Sequence, residues 1–188
     1  MSKLDSPYFM VHVSSEFLKN GAKAAGQYFK AEKGEVKQFD SLILAKISVP
    51  VVNIMLSLEL TLKGLIKDAG KRPWGHDVLE LFDALEGDVR DRIIEHYRSH
   101  DHYRKYVPIR IMAGDGSLPA RPGPFTPIPK DRDGVRELLA LHRKHFIDFR
   151  YLFEYDEKME VFIYFRELLN LAFSAIKILG DTQNVIVK

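Results

Sequence analysis

Glu59 and Lys63 are two charged residues inside residues 50–66, the most apolar stretch of the chain. A helix turns about 100° per residue, which places both charges among apolar neighbours on the side expected to be most buried. They lie four residues apart with the acid first, the order that favours an ion pair. Because an unpaired buried charge costs several kcal/mol, we expect Glu59 to be buried and to contact Lys63, His76 or Arg150.

Arg150 and Glu154 repeat this four-residue spacing with the cation first. Two interpretations remain open for one set of residues: Glu59, Lys63, His76, Arg150, Tyr151 and Glu154. In the first, these side chains form a buried polar network that joins helices. In the second, they line a pocket for a phosphate or nucleotide, in which Lys63 and Arg150 contact the anion.

Three histidines, His96, His100 and His102, form a further cluster together with Glu95 and Asp101. His96 and His100 share a helical face at the spacing that a pair of metal ligands needs. No glutamate occupies the catalytic position of an H-E-x-x-H motif, and the segment is highly charged. We therefore expect a solvated face near a helix end and predict no metal.

Basic residues and aromatic rings alternate around a proline-rich segment. The basic residues are Arg104, Lys105, Arg110, Arg121, Lys130 and Arg132, and the aromatic ones are Tyr103, Tyr106 and Phe125. This mixture suits single-stranded RNA, through phosphate contacts and base stacking. Asp115, Asp131 and Asp133 weaken the pattern, which favours a mobile surface loop instead.

The composition is that of one globular domain over residues 1–188. Lys and Arg total 28 against 26 Asp and Glu, and the net charge of +2 indicates no basic field for nucleic acid. The absence of cysteine excludes disulfides, thiol catalysis and Cys-ligated zinc. No signal peptide is recognisable, and residues 50–66 are charged and shorter than the roughly 18 residues of a membrane span. These features predict a soluble cytoplasmic protein.

Helical periodicity dominates and predicts an all-α, up-and-down bundle of about five to six helices. The first expected helix begins at Ser14 or Ser15, the second begins at Pro50 and ends near Ala69–Gly70, and the third begins after Asp77. The last three cover residues 88–99, 135–149 and 159–180. Residues 39–48 lead into Pro50, which suits the first turn of a helix better than its interior.

An irregular segment, residues 107–133, interrupts this helical pattern. It holds six of the nine prolines and three of the twelve glycines. A loop of that length within a compact domain is usually functional or poorly ordered. A short hairpin near residues 106–112 is also compatible with its sequence.

Three spaced elements resemble a bacterial branch of the HEPN-domain family (higher eukaryote and prokaryote nucleotide-binding domain). Residues 58–63, Leu-Glu-Leu-Thr-Leu-Lys, resemble its E-L-x-L-K helix, and residues 75–82, Gly-His-Asp-Val-Leu-Glu-Leu-Phe, resemble its G-H-D-L element. Residues 146–154, Phe-Ile-Asp-Phe-Arg-Tyr-Leu-Phe-Glu, are similar to its F-x-x-W-R-Y-x-x-E box, with Phe149 where Trp is common. The resemblance covers about residues 40–180.

The resemblance implies a helical bundle that often forms a homodimer. Family members act as metal-independent endoribonucleases, as partners of small nucleotidyltransferases in toxin–antitoxin systems, or as non-catalytic RNA- or nucleotide-binding modules. For this chain we expect an RNA- or nucleotide-interacting module of a toxin–antitoxin or defence system, without a cofactor. A nucleotidyltransferase or antitoxin protein is the implied partner, and a non-catalytic protein-interaction domain is an alternative.

The family's catalytic motif is an Arg followed by His after four to six residues, and two pairs match it: Arg90 with His96, and Arg136 with His142. The Arg would stabilise phosphate charge and the His would transfer a proton to or from a 2′-hydroxyl. Residues six apart on a continuous helix point about 120° away from each other. His142 also lies on an apolar stripe, which favours a core histidine over a catalytic one.

Overall fold

The computed structural model describes residues 6–28, 41–106, 108–113, 126–143 and 159–187. Six helices and two short strands occur within them. In chain order they are α1 Pro7–Tyr28, α2 Ser41–Asp68, α3 Val78–Asp83, α4 Gly87–Ser99, β1 Ile109–Ala113, α5 Arg132–His142, β2 Met159–Ile163 and α6 Phe165–Thr182. The prediction of a mostly helical chain is confirmed.

Helix α1 begins seven residues earlier than the first of its two predicted starts. Ser6 caps it, since the Ser6 hydroxyl accepts a hydrogen bond from the Phe9 backbone N–H at 3.2 Å. Pro7 occupies the first helical position, where no backbone N–H is needed. The predicted starts at Ser14 and Ser15 are wrong, because the Ser15 hydroxyl bonds back to the Val11 carbonyl at 2.7 Å within the helix.

Helix α2 passes through Pro50, so the prediction that the central helix begins at that residue is wrong. Pro50 is buried where α1 crosses closely. A Cβ atom added to Gly21 of α1 would lie 2.8 Å from Ile54 Cγ1 and 3.2 Å from the Pro50 carbonyl oxygen. This close packing against α1 offsets the helical hydrogen bond that the proline ring removes.

Helix α2 is buried on more than one side, because it packs against both α1 and α6. On the α1 side, the buried Ser57 hydroxyl donates to the Ser14 carbonyl at 2.8 Å. On the α6 side, a Cβ atom on Gly64 would lie 2.6 Å from Leu179 Cδ2. The helix therefore forms the centre of the apolar core.

The length of α2 contradicts the argument from the sequence that this apolar segment is too short to cross a membrane. Residues 47–68 have a mean hydropathy of 1.6 and are long enough to cross a membrane. However, 67% of the apolar window is buried inside the protein, as expected of a core helix. Burial, rather than insufficient length, therefore distinguishes this helix from a membrane span.

The turn after α2 and the start of α3 follow the prediction. Gly70 adopts a positive φ of 75°, and the Lys71 N–H bonds to the Ile66 carbonyl at 3.0 Å. The Asp77 carboxylate then caps α3 by accepting from the Leu79 N–H at 3.0 Å and the Glu80 N–H at 3.3 Å. These two local structures fix the loop that carries His76.

Strands β1 and β2 form a two-stranded antiparallel sheet in which Ile109 is opposite Ile163. The predicted local hairpin at residues 106–112 is therefore wrong, because β1 pairs with a strand that lies much later in the chain. Met159 and Phe162 belong to β2 rather than to the last helix. The predicted loop over residues 107–133 contains β1 and, at its end, the first residues of α5.

The C-terminal residues fold back onto α6, which ends at Thr182 rather than at the predicted Gly180. Asn184 has a positive φ of 54°, and the Val185 N–H bonds to the Gly180 carbonyl at 2.8 Å. A Cβ atom on Gly180 would lie 2.7 Å from Val187 Cγ2, so the absence of a side chain makes room for this tail. Val187 thereby reaches the site described next.

Candidate functional site

Glu59 is buried as predicted, with 3% of its surface exposed. Its Oε1 accepts from Lys63 Nζ at 2.7 Å and lies 2.8 Å from His76 Nδ1. The side chain of Lys63 is 18% exposed and that of His76 is 68% exposed. The prediction that Glu59 is buried and contacts Lys63 or His76 is confirmed.

Within the described part of the chain, the other Glu59 oxygen, Oε2, is buried and has no hydrogen-bond partner. Arg150, Tyr151 and Glu154 lie outside the described residues. The three side chains that are described, Glu59, Lys63 and His76, form a compact network between α2 and the loop that follows it. The pocket interpretation, which needs Arg150 and Tyr151, stays a prediction.

The arginines of both candidate catalytic pairs bind to the end of α3. Arg90 donates to the Asp83 carbonyl oxygen at 2.7 Å, and Arg136 forms an ion pair with the Asp83 carboxylate at 2.5 Å. These contacts tie α4 and α5 to α3. Both guanidinium groups are thus engaged by Asp83.

His142 is a fully buried core histidine with 0% exposure. Its Nε2 accepts from the Tyr164 backbone N–H at 3.2 Å, so the ring proton resides on Nδ1, which donates to the Leu138 carbonyl at 2.7 Å. Both ring nitrogens are therefore used within the core. This arrangement agrees with the structural interpretation of His142.

His96 connects α4 to α6 through a hydrogen bond that fixes its tautomer. The Ser174 hydroxyl donates to the Asn170 carbonyl at 2.8 Å, so Ser174 Oγ accepts from His96 Nδ1–H at 2.9 Å. His96 Nε2 has no hydrogen-bond partner among the described residues. It therefore carries a lone pair when the ring is neutral.

The three clustered histidines form a continuous stack of rings, here called the histidine stack (His96, His100 and His102). The His96 and His100 rings lie 4.0 Å apart at 13°, and those of His100 and His102 lie 5.5 Å apart at 9°. His100 Nδ1 donates to the His96 carbonyl at 3.0 Å. The predicted shared face is present, but it faces α6 as well as solvent.

The histidine stack forms one wall of a cleft of about 530 Å³, here called the histidine cleft. Its other lining residues are Tyr103, Phe173, Lys177 and Val187. The Phe173 ring contacts His102 edge to face, with 4.5 Å between ring centroids. The cleft thus combines aromatic surface with one permanent cation and three titratable rings.

Burial is the main reason that the pKa of His96 lies below its ordinary value. Electrostatic interactions with His100, His102 and Lys177 lower this pKa further, while Asp181 raises it. At neutral pH this ring is therefore neutral and accepts through Nε2.

No group of three or more His, Asp or Glu side chains in the described ranges is arranged to hold a metal ion. Rings stacked face to face do not direct their nitrogens at one point.

A polar network beneath the cleft holds its loop against α6. Arg166 forms a two-pronged ion pair with Asp101, with Nε 3.1 Å from Oδ1. Asn170 Nδ2 donates to Asp101 Oδ1 at 2.9 Å, and Asn170 Oδ1 accepts from the Tyr103 N–H at 3.2 Å. This network positions His102 and Tyr103 beside Phe173.

The Asp101–Arg166 pair predicts an acid-sensitive contribution to stability. The hydrogen bond from Arg166 holds the pKa of Asp101 below its usual value. A depressed folded-state pKa stabilises the fold above the unfolded-state pKa, and this contribution is lost as the pH falls through the folded-state value. We expect Asp101→Asn to lower the melting temperature near neutral pH, and the difference from the unmodified protein to shrink below about pH 4.

Thermal melting followed by circular dichroism across this pH range measures the effect. Asp91→Asn, an exposed carboxylate on α4, is the matched control and should leave the pH profile unchanged. An Asp101→Asn curve parallel to that of the unmodified protein at every pH would contradict the linkage.

Comparison with models of protein families, with curated protein sequences and with solved structures finds no match for this chain. The chemistry of the site is therefore inferred from its side chains.

Sequence reasoning missed the α6 side of the cleft. Arg166, Asn170 and Ser174 recur every four residues on a helix that is otherwise largely apolar, and Lys177 lies on the same side. That polar stripe is the signal that could have identified them. The sequence alone provided no reason to expect that this stripe lies against the histidines of α4.

The basic and aromatic residues around the proline-rich segment separate into different environments. Tyr103 lines the cleft, whereas Tyr106 is buried and donates to the Ala22 carbonyl at 2.7 Å. Lys130 Nζ lies 5.3 Å above the Tyr97 ring. Residues 114–125 lie outside the described residues, so the mobile loop predicted there stays a prediction.

Proposed function

We propose that this chain is a cytoplasmic, HEPN-like up-and-down helical bundle that forms a homodimer and binds RNA or a nucleotide. In this proposal it acts within a toxin–antitoxin or defence system, and the histidine cleft is its binding site. The observation that carries the proposal is the composition of that cleft, in which aromatic rings, three histidines and the cation of Lys177 line one cavity.

The cleft offers the two kinds of contact that single-stranded nucleic acid uses. Phe173 and Tyr103 provide ring surface on which a base can stack, and Lys177 provides a cation for phosphate. Its volume of about 530 Å³ lies within the range of ligand sites, roughly 300–1,000 Å³. This volume is of the size that a mononucleotide, or one nucleotide of a strand, would need.

The alternative of a ribonuclease that uses an Arg–His pair has less support from the geometry. Arg90 and Arg136 bind Asp83, and His142 uses both of its nitrogens in the core. His96 is the one histidine of these pairs that faces a cavity. Binding is accordingly the activity tested first.

Replacing Lys177 by Ala is expected to weaken binding of a single-stranded RNA of about eight nucleotides by roughly three- to tenfold. The reason is the loss of the cation that contacts phosphate, so the salt dependence should also fall, by a slope of about 0.7. Fluorescence anisotropy in EDTA at about 50 and about 200 mM salt measures both quantities.

The matched control is Lys23→Ala, which removes an exposed lysine of α1 away from the cleft. Equal affinity losses in the two lysine variants would place the binding site elsewhere. The same samples, run on a denaturing gel, test for cleavage. RNA cleavage that persists in EDTA and disappears in His96→Ala would replace the binding proposal with the ribonuclease alternative.

A further inference from the structure

We propose that the histidine cleft selects a phosphate monoester, such as a terminal phosphate of RNA or a nucleoside monophosphate, over an internal phosphodiester, and takes up protons when it binds. This inference rests on the proposed function and specifies its ligand. It follows from the hydrogen bonds that the Nδ1–H groups of His96 and His100 already make within the protein.

The first step concerns the donors available to an anion. His96 and His100 both direct their Nδ1–H into the protein, toward Ser174 Oγ and the His96 carbonyl. Each neutral ring therefore presents only an Nε2 lone pair, which repels an anion. Either ring can donate to phosphate only after its Nε2 is protonated, so an anion can accept a hydrogen bond from His96 or His100 only if that ring gains a proton.

The second step concerns charge. Of the described side chains that line the cleft, only Lys177 carries a permanent charge. One lysine balances the single negative charge of a phosphodiester. A phosphate monoester is largely dianionic at neutral pH, since its second pKa is about 6. Its additional charge is balanced when the stack gains a proton.

The third step concerns the cost of that proton in the absence of ligand. Ring separations of 4.0 and 5.5 Å bring protonated neighbours close enough to repel. Lys177 adds to the repulsion from α6, and Asp181 is the acid that opposes it. Asp101, which precedes His102 in the loop, is already paired with Arg166, and Glu95 adjoins His96 on α4. A bound dianion replaces this repulsion with attraction and raises proton occupancy.

The position of the rings indicates which of them takes up the proton. His96 is half-buried against α6, whereas His100 and His102 are exposed. The exposed rings are the ones that an anion can approach from solvent. We assign proton uptake to His100, whose Nε2 must be protonated before it can donate, with the exposed His102 ring stacked on it. His96 orients the stack through Ser174.

Isothermal titration calorimetry at about pH 7, in two buffers of different ionisation enthalpy, measures affinity and proton uptake together. The probes are one short single-stranded RNA with a 5′-phosphate, the same RNA with a 5′-hydroxyl, adenosine 5′-monophosphate and inorganic phosphate. We expect the 5′-phosphate to raise RNA affinity about tenfold, the size expected for one additional charge-assisted hydrogen bond. We also expect net proton uptake only for probes that carry a monoester or free phosphate.

Two variants and one control distinguish the effect of positive charge on phosphate binding from the effect of proton uptake. His100→Gln with His102→Gln should abolish proton uptake and reduce the preference for the 5′-phosphate to about twofold or less. His100→Lys supplies a permanent cation and should keep the preference while lowering proton uptake. His12→Gln, an exposed histidine on α1, should change neither quantity.

The outcomes distinguish this inference from the proposed function. Equal affinity for the two RNAs, with binding still dependent on Lys177, overturns the monoester preference and leaves RNA binding in place. Proton uptake that is unchanged in the double glutamine variant overturns the assignment to the stack. Binding of mononucleotide and inorganic phosphate but of neither RNA supports the monoester site and removes RNA as its ligand.

Discussion

Glu59→Ala is expected to lower the free energy of unfolding by about 3 kcal/mol, the lower end of the cost of breaking a buried ion pair. The substitution removes the only described partner of Lys63 Nζ, leaves a cavity in the core helix and releases His76 from α2. Lys63 and His76 are partly exposed and can turn toward water, which moderates the loss. Equilibrium urea unfolding measures it.

Two further substitutions show whether burial causes this effect. Glu59→Gln keeps the volume and one acceptor and should cost about 1 kcal/mol. Glu16→Ala removes the acid of an exposed pair with Lys19, in which both side chains are more than 60% exposed, and should cost under about 0.5 kcal/mol. A Glu59→Ala loss no larger than that of Glu16→Ala would refute the buried network.

The same variants address the pocket interpretation. If Glu59 lines a ligand site, its substitution changes RNA or nucleotide affinity in protein that is still folded. We expect unchanged affinity, because the histidine cleft is formed by α4, the following loop and α6. A loss of affinity without a loss of stability would move the binding site to α2.

His142→Ala is expected to cost about 3 kcal/mol of unfolding free energy, as for other large-to-small changes in a core. It empties a site with 0% exposure and leaves the Tyr164 N–H and the Leu138 carbonyl without the ring that now bonds them. Urea unfolding provides the measurement. Nucleic-acid affinity of the folded variant should be unchanged.

His142→Leu refines this expectation, since it refills most of the volume and removes only the hydrogen bonds. We expect a cost of about 1–2 kcal/mol for the loss of the two hydrogen bonds that the ring makes. His12→Ala, an exposed histidine on α1, is the control and should cost little. Catalytic loss in His142→Ala with stability preserved would instead favour the Arg136–His142 ribonuclease interpretation.

The features that could be predicted from the sequence are those set by local spacing. Glu59 and Lys63 contact each other because four residues make one helical turn, and Asp77 caps α3 because its carboxylate reaches backbone N–H groups two and three residues later. Helix α2 ends at Asp68, and the positive φ of Gly70 turns the chain away just after it. None of these features requires knowledge of the tertiary fold.

The features that could not be predicted depend on distant packing. His96 and Ser174 are 78 residues apart in the chain, and only the pairing of α4 with α6 brings them into contact. Pro50 stays within α2 because α1 packs closely on it, which overrides the local preference of proline. The spacing of the histidines could be read from the sequence, but the residues of α6 that line the cleft beside them could not.

The C-terminal tail has a practical consequence. Val185 bonds back to Gly180 and Val187 lines the histidine cleft, so a segment attached downstream of Val187 starts beside that cavity. A C-terminal polyhistidine tag would bring additional imidazoles to the very wall whose protonation is to be measured. Affinity tags and fluorophores therefore belong at the N-terminus.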